Sequence, residues 1–214
     1  QFISCNGEHD HALMIDCRSL EKRSVPIDPR VRIVVANSMV HHALASGEYN
    51  KRRQSCEAGV RRLTPAVGPI KALRDVSPAV LEANRGLLDE ETYRRCRHVV
   101  TENERVVEAA DALEQGDLAR FGALMNDSHV SMRDDYAITC PEVDTLVAIA
   151  QAQPGVLGAR MTGGGFGGCV VSLVEAAAVD AFMTSVRAAY AKATGHDSTI
   201  FACSPQQGVG HLSG

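Results

Sequence analysis

The chain has 214 residues, of which 45% are hydrophobic and 22% are charged, and it carries a formal net charge of -4. This composition is typical of a soluble globular protein with one large or two small domains. The acidic balance gives no electrostatic reason to expect a nucleic acid or an anionic lipid as partner. The sequence has no apolar run of about eighteen residues, which a membrane-spanning helix would need.

Seven cysteines are scattered along the chain without a C-x-x-C pair. This pattern suits reduced thiols, which are the rule in cytosolic proteins. The first residues, "QFISC", lack the charged start and the longer apolar core of a secretory signal peptide. We therefore expect a cytoplasmic protein.

Periodicity and turn residues predict the elements in chain order. Short β-branched or apolar runs predict strands, and helical spacing of apolar residues predicts helices. Prolines 65, 69 and 78 are expected to break the chain after the first long helix, while Gly116 ends one helix and Asp117 caps the next. The predicted elements are strands at 11–17 and 31–38 with a solvated, hairpin-like link between them, helices at 43–63, 79–88, 90–114, 117–133 and 142–153, strands at 156–162 and 169–174, a helix at 176–195 and a strand at 198–203.

The order of these elements indicates the fold class. Two strands come first, a helical middle follows, and the last third reads strand, glycine loop, strand, helix, strand. Helices that are grouped between strands, without steady alternation, favour an α+β fold over a doubly wound α/β fold.

The glycine loop in "RMTGGGFGGC" satisfies G-x-G-x-x-G at Gly163, Gly165 and Gly168. A dinucleotide-binding loop must open a helix, because the helix N-terminus holds the pyrophosphate. Here the run "CVVSLV" predicts a second strand, so this context excludes the dinucleotide-binding hypothesis. Successive backbone N–H groups of such a loop can still bind an anion. The structural alternative is a tight, bulged hairpin, with Phe166 as a packing anchor.

Five stretches resemble the galactokinases, a family of the small-molecule kinases that include homoserine, mevalonate and phosphomevalonate kinases. The stretch "ARMTGGGFGGCVVSLV" is similar to the third signature of these kinases in the form that galactokinases carry. The other four are "QFIS…DHALMIDCRSL", "NSMVHHALASGEYNKRRQSCEAGV", "LMNDSHVSMRDDYAITCPEVDTLV" and "TIFACSPQQGVG". The stretches are collinear over essentially the whole chain, which makes the resemblance specific.

The resemblance implies the C-terminal portion of a two-domain kinase fold, with an antiparallel or mixed sheet, helices, and a β-loop-β-α-β ending. Residues 1–40 would be strands leading from an N-terminal domain, and residues 41–214 would form the C-terminal kinase domain. The family's catalytic aspartate would immediately precede Gln1, so this chain would hold no catalytic residue. The sugar signature and the nucleotide loop would lie further upstream. We therefore expect this fragment alone to be inactive.

The activity implied for the parent protein is the transfer of a phosphoryl group from ATP to the anomeric hydroxyl of galactose. The resemblance also implies Mg²⁺, with ligands in the N-terminal part, and a monomeric parent. Two alternatives stay open. One is a related sugar kinase that acts on N-acetylgalactosamine. The other is a non-catalytic sensor of galactose and ATP that regulates transcription.

The resemblance assigns one sugar-binding residue and one active-site loop. Tyr49 in "SGEYNKRR" matches the tyrosine that contacts the sugar in galactokinases, and a phenol beside a flat apolar face suits a pyranose. Without the match, packing would be the commoner role for a tyrosine on a helix. His41 stands where galactokinases often have Arg or Lys, so its role stays open. The loop expected at the floor of the active site is Thr162, Gly163, Gly164, Gly165, Phe166, Gly167 and Gly168.

Four charged or histidine clusters are interpreted as structural. The run Lys51–Arg53 is expected to be a solvated charged face and not a phosphate patch. Asp134 and Asp135 are expected to cap a helix or to form ion pairs, because adjacent carboxylates usually splay apart. We assign no metal site to His9–His11 or to the pair at 41–42.

Overall fold

A computed structural model describes residues 2–41 and 45–209. The fold is α+β, as predicted, and the described residues contain no helix that is both long and apolar enough to cross a membrane. A π-helical turn occupies Met132–Tyr136, and three short 3₁₀ turns complete the helical structure. The elements in chain order are α1 Phe2–Asn6, β1 His11–Ile15, β2 Lys22–Pro26, β3 Val31–His41, α2 Ala45–Val67, α3 Pro78–Ala83, α4 Glu90–Glu114, α5 Leu118–Ser131, α6 Pro141–Gln151, β4 Val156–Thr162, β5 Gly167–Glu175, α7 Val179–Thr194 and β6 Thr199–Cys203.

The strands form two antiparallel sheets. Strands β1 and β2 make a two-stranded hairpin, and the larger sheet has the order β4-β5-β3-β6. Alternate residues of the larger sheet point toward α6 and α7, as a strand period of two requires. They form the main apolar core with both helices, and its members include Val34, Ala36, Val143, Leu146, Ala159, Met161, Val170, Val174, Phe182, Val186 and Tyr190.

The helix ends follow the local sequence. The Asp117 side chain accepts a hydrogen bond from the backbone N–H of Arg120 and caps α5. Gly116 takes a left-handed conformation at the end of α4, with φ +69°. Both agree with the roles predicted for Gly116 and Asp117. Pro141 stands at the first position of α6, where a missing N–H costs nothing.

Three predicted elements differ from the structure. The helix expected at 79–88 ends at Ala83, and a 3₁₀ turn at Arg85–Leu87 follows it. The charged link after β1 contains strand β2, because Lys22–Pro26 pairs with His11–Ile15 along its whole length. Helix α2 does not end near Leu63 but runs through Pro65 to Val67. Pro65 has no N–H to donate to the carbonyl oxygen four residues earlier, so α2 loses one hydrogen bond there, two residues before it ends.

Strand β3 carries the chain from the first sheet to the second. It lies between β5 and β6 in the larger sheet, so residues 31–41 share a sheet with the C-terminal elements. The domain boundary expected near residue 40 stays a prediction. A bulge interrupts the register after Asn37, and the backbone of His41 then pairs with Gly167. This pairing brings the start of α2 toward the glycine loop.

Candidate functional site

The glycine loop, Thr162–Gly168, contains the last residue of β4, the connection 163–166 and the first two residues of β5. A strand follows the loop directly, as predicted. The loop therefore matches the G-x-G-x-x-G sequence pattern but does not open a helix, as a dinucleotide-binding loop would. A Cβ added at Gly163, Gly164 or Gly168 would meet no described atom within 4 Å. These three positions, called here the open face, leave backbone accessible to a ligand. Residues of the loop with positive φ are Gly163, Gly165, Phe166, Gly167 and Gly168.

The opposite side of the loop packs on the turn that precedes α6. The backbone N–H of Phe166 donates a hydrogen bond of 2.5 Å to the carbonyl oxygen of Ile138. A Cβ at Gly165 would lie only 2.4 Å from the same oxygen, so this position has no room for a side chain. Ala137 reverses the chain here in a left-handed conformation, with φ +48°. The turn Tyr136–Ile138 thus holds the inner side of the loop.

Arg52 of α2 joins the turn to the loop. Its guanidinium donates hydrogen bonds to the carbonyl oxygens of Tyr136 at 3.3 Å and Ala137 at 2.7 Å, and it pairs with the carboxylate of Glu48. The same group lies 5.1 Å from the centre of the Phe166 ring, within the range of a cation–π interaction. Only 8% of Arg52 is exposed.

This burial corrects one of our predictions. Lys51 and Arg53 are exposed and pair with Glu48 and Glu57 on the helix surface, as a solvated charged face would. Arg52 is not part of that face, because its side chain passes inward to carbonyl groups that no neighbouring residue of α2 supplies. The prediction that Phe166 is a packing anchor agrees with its half-buried ring.

Tyr49 lies one turn before Arg52 on α2. Its side chain is 64% exposed, so the phenol is accessible to a ligand. Tyr49 precedes by three residues Arg52, whose guanidinium donates to the carbonyl oxygens of Tyr136 and Ala137. Tyr49 therefore stands near the turn that supports the glycine loop. Its sugar-binding role stays a prediction.

The paired acidic residues have the ion-pairing role that we expected. Asp134 pairs with Arg133 at 2.7 Å, and Asp135 is buried and pairs with Arg97 of α4. The two carboxylates thus face different partners. Of the histidine pair, residue 42 and the side chain of His41 lie outside the described residues. In the other cluster, Nδ1 of His9 contacts the carboxylate of Asp10 at 2.9 Å.

Sequence reasoning missed an aromatic pair at the turn, in which His98 is buried and Tyr136 is half-buried. The rings of His98 and Tyr136 stack with centroids 4.5 Å apart, and Nδ1 of His98 lies 2.9 Å from the Ser131 hydroxyl. Burial lowers the pKa of His98 to about 4. Burial also raises the pKa of Cys56, whose sulfur lies 3.9 Å from the Tyr136 hydroxyl. These groups are therefore neutral near pH 7, and they support the turn by packing.

The arrangement can bind an anion through backbone N–H groups, since the open face carries no side chains and the inner side is held firmly. Residues 109–192 match the family model described as GHMP kinases C terminal. The chain is 49% identical to a galactokinase of Roseiflexus sp. over 99% of this chain and 54% of that protein. It is 51% identical to a Homo sapiens galactokinase over 89% of this chain and 47% of that protein.

The chain thus spans about half the length of the curated relatives it matches. Among solved structures, that of Lactococcus lactis galactokinase complexed with galactose is similar, with a TM-score of 0.90 and 38% sequence identity. The similarity covers 95% of this chain and 53% of the Lactococcus lactis chain.

Proposed function

We propose that this chain, which contains a GHMP kinase C-terminal domain, is the C-terminal part of an ATP-dependent galactokinase. The observation that carries the proposal is an identity of 49% to a galactokinase over 99% of the chain. The likeness to a galactokinase complexed with galactose supports the same activity. The activity belongs to the whole protein, and we propose that this chain alone is inactive.

The proposed reaction is an in-line phosphoryl transfer. The anomeric hydroxyl of galactose forms a bond to the γ-phosphorus of ATP, the bond from that phosphorus to the β-phosphate oxygen breaks, and the hydroxyl proton passes to a base. Positioning and charge stabilisation supply most of the catalysis in such a step. The base would be the aspartate that the family carries before the position of Gln1.

Two parts of this chain would contribute to that step. The open face of the glycine loop would present backbone N–H groups to the transferred phosphoryl group, where they stabilise negative charge. Tyr49 would form a hydrogen bond with the sugar and orient its hydroxyl. Neither part supplies a base, which is why we propose that the rest of the protein is required.

Mg²⁺ bound with ATP would neutralise charge on the phosphates. Within residues 2–41 and 45–209, no three His, Cys, Asp or Glu side chains gather into a group that could hold a metal ion. The resemblance to galactokinases is the ground on which we propose that the magnesium ligands lie in the N-terminal part.

The substrate and the reaction can be tested together. The full-length protein is incubated with ATP and Mg²⁺ and with galactose, N-acetylgalactosamine or glucose, and the products are identified by ³¹P nuclear magnetic resonance. We expect galactose 1-phosphate with galactose and little product with the other sugars. Product with N-acetylgalactosamine alone would identify a related sugar kinase. Binding of galactose without any product would identify a sensor.

We also propose that the protein is cytoplasmic and that the parent is a monomer. All seven cysteines are free thiols, which supports a reducing compartment. Fractionation of cells and light scattering of the purified full-length protein test the two proposals.

A further inference from the structure

A loop this rich in glycine needs contacts from outside to hold one shape. Glycine loses more conformational freedom on ordering than any other residue. A backbone that binds a transferred phosphoryl group must nevertheless be ordered before the reaction, because reorganisation would raise the barrier. The residue that orders the glycine loop is therefore important for activity, even when it touches no substrate.

We propose that Arg52 is a positioning residue, which fixes the glycine loop against the turn Tyr136–Ile138 and links both to α2. The inference rests on the proposed function for its effect on activity. Four contacts of one guanidinium carry it. The guanidinium donates to the carbonyl oxygens of Tyr136 and Ala137, it pairs with Glu48, and it lies over the Phe166 ring.

The chemistry of this position requires arginine. The planar guanidinium donates in several directions within its plane while its face stays free to stack on an aromatic ring. Lysine carries the same charge on a compact ammonium group, which cannot donate to Ala137 and Tyr136 in one plane and stack on Phe166 at the same time. A charge that is only 8% exposed also needs these partners, because an unpaired buried charge is costly.

The position of Arg52 on α2 also places it beside the proposed sugar ligand. Glu48, which pairs with Arg52, and Tyr49, the proposed sugar ligand, are neighbours in sequence on the same turn of α2. Arg52 thus connects the side of the site that would hold the sugar with the side that would hold the phosphoryl group. Loss of the guanidinium would loosen the loop and let α2 shift relative to it.

The test compares Arg52→Met and Arg52→Lys with the matched control Arg53→Met in the full-length protein. Arg53 is 70% exposed and pairs only with Glu57 among the described contacts. Amide hydrogen exchange is measured for residues 163–168 and, as an internal reference, for α7. We expect both Arg52 variants to exchange at least about tenfold faster in the loop, with α7 unchanged, because loss of these contacts frees the loop alone.

Kinetics give the second readout. We expect kcat for galactose to fall about 100-fold in Arg52→Met, with a smaller rise in KM, since misplaced groups act mainly on the chemical step. Arg52→Lys should recover little of this loss, whereas Arg53→Met should match the wild type. If Arg52 had only a structural role, both Arg52 variants would be less stable, but kcat would not fall by more than KM rises.

The variant Phe166→Leu keeps the inference testable if Arg52→Met does not fold. Phe166→Leu keeps an apolar side chain but removes the ring face, and we expect faster exchange confined to the loop. Loop exchange equal to that of Arg53→Met in every variant would overturn the inference. If the wild-type protein phosphorylates no galactose, the proposed function fails, while the exchange data still decide whether Arg52 fixes the loop.

Discussion

Gly122 of α5 and Gly158 of β4 face each other so closely that neither position has room for a side chain. A Cβ at Gly158 would lie 2.3 Å from the carbonyl oxygen of Gly122, and a Cβ at Gly122 would lie 2.1 Å from the carbonyl oxygen of Leu157. Helix α5 therefore lies directly on the backbone of β4. Helix α5 continues through the π-helical turn Met132–Tyr136 into the turn that holds the glycine loop.

We predict that Gly158→Ala lowers the free energy of unfolding by about 1–3 kcal/mol, because the added methyl group forces α5 away from β4. Denaturant titration of the full-length protein measures the change. Gly47→Ala is the matched control, since a Cβ at that helical position meets no described atom within 4 Å. The control should be neutral or stabilise the protein by up to about 1 kcal/mol. Equal effects of both substitutions would contradict the close packing of α5 on β4.

We predict that His98 makes the protein less stable in acid. Burial holds its pKa at about 4 in the folded protein, whereas an unfolded chain restores the ordinary value of about 6.5. Between these pH values the unfolded state binds a proton that the folded state does not bind. Stability should therefore fall as the pH drops through this window, by up to about 1.4 kcal/mol per pH unit.

The variant His98→Gln tests this assignment, because it removes the titrating ring. The carboxylates of Glu102 and Asp135 oppose the effect of burial, and the guanidinium groups of Arg105 and Arg160 reinforce it. His129 is also buried with a lowered pKa, so some pH dependence should persist. Denaturation midpoints measured from pH 4 to pH 7 should give a shallower slope for the variant. An unchanged slope would show that His98 does not titrate in this window.

We predict that Tyr49→Phe raises KM for galactose about fivefold and leaves the melting temperature unchanged. The phenol is exposed, so its hydroxyl adds little to folding, and one hydrogen bond to a ligand contributes about 1 kcal/mol. Asn50→Ala changes the next exposed position and should leave KM as it is. Steady-state kinetics over a range of galactose concentrations separate the two variants. Equal KM values would remove Tyr49 from the sugar site.

The sequence predicts the last third of the fold well, because its signals are local. Glycines mark the loop between two β-branched runs, and the same pattern identifies a strand after the loop. Strand β2 was not predicted, because its charged residues are typical of a solvated link. Its strand conformation depends on pairing with β1. The burial of Arg52 could not be predicted either. Its partners at Tyr136 and Ala137 lie more than eighty residues away in sequence.

The central claim is that the open face of the glycine loop receives the phosphoryl group, and Gly164→Ala tests it most directly. Gly164 lacks a positive φ, and a Cβ there meets no described atom within 4 Å, so the substitution should leave the melting temperature unchanged. The methyl group would instead occupy the space of the phosphoryl group.

The measurement is kcat for galactose phosphorylation by the full-length protein, with Gly86→Ala as control because that glycine is equally open. We predict at least a tenfold loss of kcat in Gly164→Ala, which corresponds to about 1.4 kcal/mol of transition-state stabilisation, and no loss in the control. A Gly164→Ala protein with the kcat of the wild type would contradict the claim.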